Sequence, residues 1–147
     1  MSEFQVVVCR LGDESYGLDI GSVYEIIRFQ ECTAVPAAPR FVDGVINLRG
    51  RIIPVVDLAS RFGLPRSATT GSTRIIVAGT DGMRVGLVVD AVTEVLMVSE
   101  DAVEPTPPVV SGGDSAYIRG IAKLGDQLVI LLDLGALFAE YAAAQAA

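Results

Sequence analysis

The amino-acid sequence contains an internal duplication that covers most of its length. Moving forward 76 positions places residues 44–58 on residues 120–134, with identities at both ends and a matching apolar pattern between them. A second register, with a shift of 69, places residues 16–27 on residues 85–96 and repeats Gly, Leu, Val and Glu. Two similar units therefore fill the chain, and the change of shift assigns the difference in length to a connecting loop.

The composition favours a mostly β fold in which the two units share a core. The chain has 147 residues, and units of about 70 residues bury little surface alone. Hydrophobic residues make up 51% of the sequence and aromatic residues only 6%, so Val, Ile and Leu must supply most of the packing. The β-branched members of this group favour strands.

The charge and the apolar runs restrict the partners. A net charge of −7 argues against nucleic acid or an anionic membrane as the main partner, because both are bound through excess Lys and Arg. No stretch approaches the length of a membrane span, and the start lacks a basic segment followed by an apolar core. We expect a protein that stays in the cytoplasm, is not inserted in a membrane and binds other proteins.

Apolar runs separated by turn residues predict about ten short strands. Three hairpins are predicted at Phe4–Leu11 with Tyr16–Ile20, Val45–Leu48 with Arg51–Val56, and Ile118–Leu124 with Gln127–Leu132. Three further strands are predicted at Arg74–Ala78, Met83–Val89 and Glu94–Val98. Strands in two equivalent sets, joined by turns, predict paired small barrels, since closure removes open sheet edges.

Short helices and loops are predicted between these strands. The spacing of apolar residues over Ile20–Ile27 is helical, and Ser22 with Glu25 matches the Ser-x-x-Glu capping box. Asp57 and Asp133 each follow an apolar strand and precede a helical pattern, which predicts two N-caps.

Two segments lie outside this pattern. Arg28–Val35 is predicted to form a further strand before a proline-marked crossing. Ser99–Ser115 is rich in Pro and Gly, which predicts the longest loop.

Several kinds of catalytic site are excluded by composition. The chain has no His, so it cannot hold a Ser-His-Asp or Cys-His site or a His-coordinated metal. Cys9 and Cys32 are not in a Cys-x-x-Cys motif, and we expect two reduced structural thiols. No Walker-type Gly-x-x-x-x-Gly-Lys-Ser/Thr motif is present, and Gly12, Gly17 and Gly21 are too far apart to form a dinucleotide-binding loop. We therefore expect no catalysis, no cofactor and no metal.

The motifs of both halves together resemble those of the CheW family, the coupling proteins of bacterial chemotaxis. The resemblance covers nearly the whole chain and rests on residues 16–20, 23–27, 41–50, 53–58, 85–95 and 120–124. One departure is Gly21, which stands where the family more often has a larger residue.

The resemblance implies a fold and a role. The fold would be two SH3-like five-stranded β-barrels with short helices, the first formed by about residues 1–40 plus 114–147 and the second by about 41–113. The role would be an adaptor that links the cytoplasmic tips of methyl-accepting chemoreceptors to a CheA-type histidine kinase. The protein would then lie in the cytoplasm, at membrane-associated receptor arrays.

Arg49 is the leading candidate for receptor binding. Composition leaves two roles open for this residue. It could be a solvated turn residue, or its guanidinium could project from a hairpin and donate hydrogen bonds to a partner. The resemblance favours binding, because the arginine of the family's Asn-Leu-Arg-Gly motif is important for receptor coupling. Glu25 is a second candidate, although its repetition as Glu94 favours a structural capping role.

Four apolar residues complete the candidate contacts. Val23 and Ile26 match family positions near the receptor groove, while their spacing is also that of core residues. The resemblance places the kinase contact on apolar surface at the barrel ends, where Leu137 and Phe138 are candidates; periodicity would place both in the core.

Two other function classes stay open. A barrel mouth could bind a small ligand or an oligosaccharide as a sensor module, which the low aromatic content disfavours. A nucleic-acid-binding barrel would need a basic stripe and exposed aromatic residues, which the acidic balance disfavours.

Overall fold

The computed structural model describes residues 2–38, 41–65, 68–80, 82–105 and 117–137. These residues form eleven strands, a short α-helix and two 3₁₀ turns, and residues 134–137 are also helical. The strands are β1 (Glu3–Leu11), β2 (Glu14–Asp19), β3 (Val23–Arg28), β4 (Val42–Leu48), β5 (Arg51–Asp57), β6 (Arg74–Thr80), β7 (Met83–Val89), β8 (Ala91–Ser99), β9 (Val103–Glu104), β10 (Ile118–Leu124) and β11 (Gln127–Leu132). The helix α1 is Leu58–Arg61, and the 3₁₀ turns are Ile20–Ser22 and Glu100–Ala102. The prediction of a mostly β fold is confirmed.

The strands form two sheets with matching topology. The six-stranded sheet has the order β8-β1-β2-β11-β10-β9, and the five-stranded sheet has the order β3-β6-β7-β5-β4. Neighbouring strands are antiparallel except β2 with β11 and β5 with β7, which are parallel and occupy equivalent places. The three predicted hairpins are all present.

Each sheet curls so that its two edges are joined by a short piece of chain. β8 and β9 lie at opposite edges of the six-stranded sheet and are separated by the turn Glu100–Ala102. In the five-stranded sheet, Thr33 follows the edge strand β3 and bridges Val45 on the opposite edge strand, β4. Thr33 N donates to Val45 O at 2.8 Å, and Val45 N donates to Thr33 O at 2.9 Å. Two curled sheets of this size are consistent with the SH3-like architecture.

The two copies of the repeat exchange strands between the sheets. The shifts of 69 and 76 relate β1–β2 to β6–β7, β3 to β8, and β4–β5 to β10–β11. The six-stranded sheet combines β1 and β2 with β8 to β11, and the five-stranded sheet combines β3 to β5 with β6 and β7. Sheet membership thus differs from the expected division into residues 1–40 plus 114–147 and residues 41–113. β3 pairs with β6, and β8 pairs with β1, so each crosses to the other sheet.

Three apolar clusters form the core, and the largest takes side chains from both sheets. Alternate residues of β1 enter different clusters because successive side chains of a strand point to opposite faces. Val6 and Val8 pack inside the six-stranded sheet. Val7, Cys9 and Leu11 belong to the cluster shared by both sheets. β6 divides in the same way, so both strands are buried on both faces.

The prediction of one or two helical turns around Ile20–Ile27 was wrong in part. A single 3₁₀ turn occupies Ile20–Ser22, and the chain then enters β3, where half-buried and exposed residues alternate. The turn is capped by Asp19, whose Oδ1 accepts from Gly21 N at 2.8 Å. The β-branched residues of this segment favour the strand, and pairing with β6 supplies the backbone partners that an isolated helical turn would lack.

Two further expectations were wrong in part. The strand expected over Arg28–Val35 ends at Arg28, and beyond it the Thr33 bridge is the pairing that the described residues show. The loop expected over Ser99–Ser115 contains the turn Glu100–Ala102 and β9, which pairs with β10. Residues 106–116 lie outside the described part of the chain.

The two predicted N-cap aspartates behave differently. Asp133 Oδ1 accepts from Ala136 N at 3.0 Å, as expected of a cap. Asp57 stands at the N-cap position of α1 but makes no side-chain bond to the helix backbone. Its Oδ2 accepts from the Ser60 hydroxyl at 2.6 Å, and the residue is buried.

An arginine joins the equivalent hairpins of the two copies. Phe41 and Tyr117 precede β4 and β10 at positions related by the 76-residue shift. The Arg61 guanidinium lies 5.2 Å from the Phe41 ring centroid and 4.4 Å from that of Tyr117, and it donates to the Tyr117 hydroxyl. These cation–π contacts connect the two sheets.

Both cysteines are free thiols. Cys9 is fully buried, and burial, with a smaller effect of the Asp90 charge, raises the pKa of its thiol to about 12. Within the described ranges there is no group of residues that could hold a metal ion, and no helix has the length and hydropathy for a bilayer crossing.

The repeated glycines Gly44 and Gly120 lie where a neighbouring strand or bridge approaches closely. A methyl group at Gly44 would overlap the Thr33 carbonyl, and the φ of Gly44 is +144°. A methyl group at Gly120 would lie 2.8 Å from a Val103 methyl and 2.9 Å from the Glu104 carbonyl oxygen. Both sites therefore require the absence of a side chain.

We expect Gly44→Ala to destabilise the protein by about 3 kcal/mol, because it adds a steric overlap to a strained φ. Thermal unfolding should show Tm lowered by roughly 10 °C. Gly71→Ala is the matched control, since Gly71 has an ordinary φ and open space around it. Equal Tm values for the two variants would contradict this account of the Thr33 bridge.

Candidate partner-binding surface on the five-stranded sheet

Arg49 stands at the tip of the two-residue hairpin between β4 and β5. Its φ is +52° and that of Gly50 is +83°, the pattern of a type I′ turn. Gly50 N donates to Asn47 Oδ1 at 2.9 Å, which fixes the turn. A left-handed arginine is uncommon, and the turn holds its side chain outside the core with 73% of its surface exposed.

The structure brings two predicted site residues together. Arg49 Nη1 lies 2.5 Å from Glu25 Oε1, and Nη2 lies 2.9 Å from Oε2, so the pair is bidentate. Glu25 belongs to β3 at one edge of the sheet, and the hairpin belongs to the other edge. The ion pair therefore connects the two edges of the curled sheet. The Thr33 bridge connects the same two edges further along the chain.

Both charges of this pair are stabilised by their contact. The hydrogen bond from Arg49 lowers the pKa of Glu25, and the hydrogen bond to Glu25 raises the pKa of Arg49. The Glu25 side chain keeps 26% of its surface exposed. Water and salt therefore screen the pair, and its main effect is to hold the guanidinium in one orientation.

The apolar candidates on β3 have different environments. Ile26 is 40% exposed, which suits a contact residue. Val23 is half-buried and packs against the shared core, so its packing role is evident. The kinase candidate Leu137 is also in the shared core, at 6% exposure. Phe138 lies outside the described residues.

Tyr24 was missed by sequence reasoning. It is 49% exposed beside Glu25, and the Arg84 guanidinium lies 4.1 Å from its ring centroid. Because this segment was predicted to be helical, Tyr24 was not recognised as an exposed residue of a strand. A strand with alternating sides would have placed Tyr24 with Ile26 on the outer face.

The ion pair is not repeated in the second copy. Glu94 is the equivalent of Glu25, but Gly125 stands at the equivalent of Arg49. The shared scaffold therefore folds without an arginine at this turn. The difference separates the ion pair from the requirements of the fold and favours a role in recognition.

Sequence comparison places the whole chain in one family. The CheW-like domain model matches residues 5–142. The chain belongs to the CheW-like family. A probable chemotaxis protein CheW of Rhizobium etli is 38% identical over 92% of this chain and 88% of its own length. The chemotaxis protein CheW of Thermotoga maritima is 35% identical over 95% and 91%.

A solved structure agrees with the family. The scaffolding protein TtCheW from Thermoanaerobacter tengcongensis superposes with a TM-score of 0.84 at 42% sequence identity. The match covers 91% of this chain and 86% of that one.

The lowered pKa of Glu25 predicts a pH-dependent contribution of the ion pair to stability. A carboxylate with a depressed pKa stabilises the folded state fully above its ordinary value of 4.5 and loses this effect as pH falls through the lowered value. We expect Glu25→Gln to lower Tm slightly at pH 7, with the difference from the unmodified protein vanishing in acid. A difference that is constant with pH would mean that Glu25 acts by packing.

Proposed function

We propose that this protein is a non-catalytic adaptor of chemotaxis signalling that joins chemoreceptor tips to a CheA-type histidine kinase in the cytoplasm, at membrane-associated receptor arrays. Membership of the CheW-like family and relatives named as chemotaxis and scaffolding proteins support this role. The observation that carries the proposal is the bidentate Arg49–Glu25 pair beside exposed side chains of β3.

The receptor contact would combine a fixed charge with an apolar strip. Arg49 exposes most of its side chain although two of its guanidinium nitrogens are bound to Glu25, and its remaining donors can meet a carboxylate or backbone carbonyl of a receptor helix. Tyr24 and Ile26, which precede and follow Glu25 in β3, offer exposed apolar surface. A rigid charged anchor next to exposed apolar groups is typical of interface hot spots.

The contents of the two sheets disfavour a small-ligand sensor. The interior clusters are filled by aliphatic side chains, among them Val8, Ala122, Ile53 and Val77 at 1% exposure or less. Among the described residues, the interior of each curled sheet is thus filled by side chains and leaves no room there for a ligand. The kinase contact at Leu137 and Phe138 stays a proposal, and the burial of Leu137 favours a supporting role behind that surface.

Arg49→Ala should weaken receptor binding by tenfold or more, because it removes a charge-assisted contact of about 1.5–3 kcal/mol. Kinase binding and the circular dichroism spectrum should not change, since the side chain is outside the core. Binding of a soluble receptor-tip fragment would be measured by calorimetry. Full receptor affinity in this variant would remove Arg49 from the interface.

An exchange of charges separates orientation from direct contact. In Glu25→Arg with Arg49→Glu the two residues can still pair, so stability should be close to that of the unmodified protein. Receptor binding should stay weak if the guanidinium at the turn touches the receptor. Recovery of binding in the double variant would show that the pair only shapes the surface.

Adaptor function predicts that the purified chain raises receptor-dependent autophosphorylation of its cognate kinase and has no phosphorylating activity itself. Radiolabelled ATP with kinase, receptor and adaptor present or omitted would measure this. ATP turnover by the chain alone, persisting through repeated purification, would contradict the proposal.

A further inference from the structure

Two arginines face each other across β3 and β6. Arg28 and Arg74 are direct partners in the antiparallel register, so their side chains lie on the same face of the sheet. Like charges in directly opposed positions destabilise a strand pair. Neither guanidinium forms an ion pair with a carboxylate of the described residues. This local positive charge occurs in a chain of net charge −7.

The arginines line an open cleft of about 400 Å³ whose other wall is the loop before β6. Arg74 Nη1 donates to the carbonyl oxygens of Gly71 at 2.8 Å and Thr73 at 3.0 Å, which anchors its side chain against the loop. Phe29 lies beneath, packed against the cluster inside the sheet. The Arg28 side chain is exposed, and the described residues provide no hydrogen bond to its guanidinium.

The loop is held in shape by its own hydroxyl groups. Thr70 N donates to Thr73 Oγ1 at 2.9 Å, and Ser72 N donates to Thr70 Oγ1 at 3.1 Å. The N–H of Gly71 has no acceptor among the described contacts. The cleft therefore presents N–H donors from two guanidiniums and from backbone, and none of its described lining residues is acidic.

The duplication shows that the fold does not need this pair. The shift of 69 relates Arg74 to Gln5 and Arg28 to Met97, and these two residues are also direct partners, between β1 and β8. The six-stranded sheet thus makes the same strand pairing with uncharged residues at these two positions. The two arginines, one from each copy, are thus found opposite each other in the five-stranded sheet only.

We propose that Arg28, Arg74 and the 69–73 loop form a binding site for a phosphoryl dianion. Two guanidiniums about 5 Å apart at Cβ can converge on one group with two negative charges. A compact dianion meets only this patch, whereas an extended acidic segment would also meet the acidic remainder of the surface. The group can belong to a small phosphorylated molecule or to a phosphorylated side chain. The site is separate from the Arg49–Glu25 pair.

The test uses the full chain and the residues that the second copy supplies. Arg28→Met with Arg74→Gln recreates the pair of the six-stranded sheet and should fold. Arg51→Gln removes one exposed arginine elsewhere and is the control. Inorganic phosphate would be titrated at constant ionic strength, with sodium chloride as the reference, and followed by amide NMR shifts and by Tm.

We expect saturable shifts centred on Gly71 and Arg74 with a Kd in about the millimolar range. The double variant should bind at least tenfold more weakly and lose the rise of Tm in phosphate, while the Arg51 control keeps both. In chloride the double variant should melt at or above the temperature of the unmodified protein. Linear, unsaturated shifts that are alike in all three proteins would overturn the proposal.

A phosphoserine peptide and its unphosphorylated form distinguish the two sources. Tighter binding of the phosphopeptide than of inorganic phosphate assigns the site to a modified partner. Equal or weaker binding of the phosphopeptide assigns it to small phosphorylated molecules. Equal binding of the two peptides, together with no saturation by phosphate, contradicts both assignments and the proposed site itself.

Discussion

Burial of β1 and β6 on both faces holds the two sheets together. One set of β1 side chains fills the six-stranded sheet, and the other set, including Val7 and Cys9, enters the cluster shared with the five-stranded sheet. β6 contributes Ile76 and Ala78 to that cluster in the same way. Neither copy of the repeat could bury this surface alone. The exchange of strands follows from this requirement, because each sheet needs the first hairpin of one copy and the later strands of the other.

This exchange makes the candidate receptor surface a product of both copies. β3 and the β4–β5 hairpin come from the first copy, but β3 is positioned by β6 of the second. The Arg49–Glu25 pair then joins the two edges of the sheet. Elsewhere, Arg61 between Phe41 and Tyr117 connects equivalent positions of the copies. A change in the shared core is therefore expected to displace the binding surface as well as to lower stability.

The sequence predicted the hairpins correctly because turn residues separate apolar runs at each of them. It could not predict which sheet each strand joins, since related strands carry similar patterns and long-range pairing decides between them. The prediction of helical structure over Ile20–Ile27 was inaccurate for a local reason. Burial alternates along β3, but apolar residues occupy both half-buried positions (Val23 and Ile27) and an exposed one (Ile26), so the apolar spacing also fits a helical period. Arg49 was proposed as a site residue from its place in a turn together with the family resemblance, whereas its pairing with Glu25 depends on the curl of the sheet and could not be predicted.

Comparison of the two copies identifies residues that the fold requires and residues that it does not require. Where both copies keep the same residue type, as in the paired glycines Gly44 and Gly120, the structure shows a steric reason. Where one copy carries a charge and the other does not, the backbone pairing is the same in both sheets, so folding does not explain the charge. This holds at Arg49 and at the cleft residues Arg28 and Arg74. The six-stranded sheet thus makes the equivalent backbone pairings without an arginine at any of these three positions.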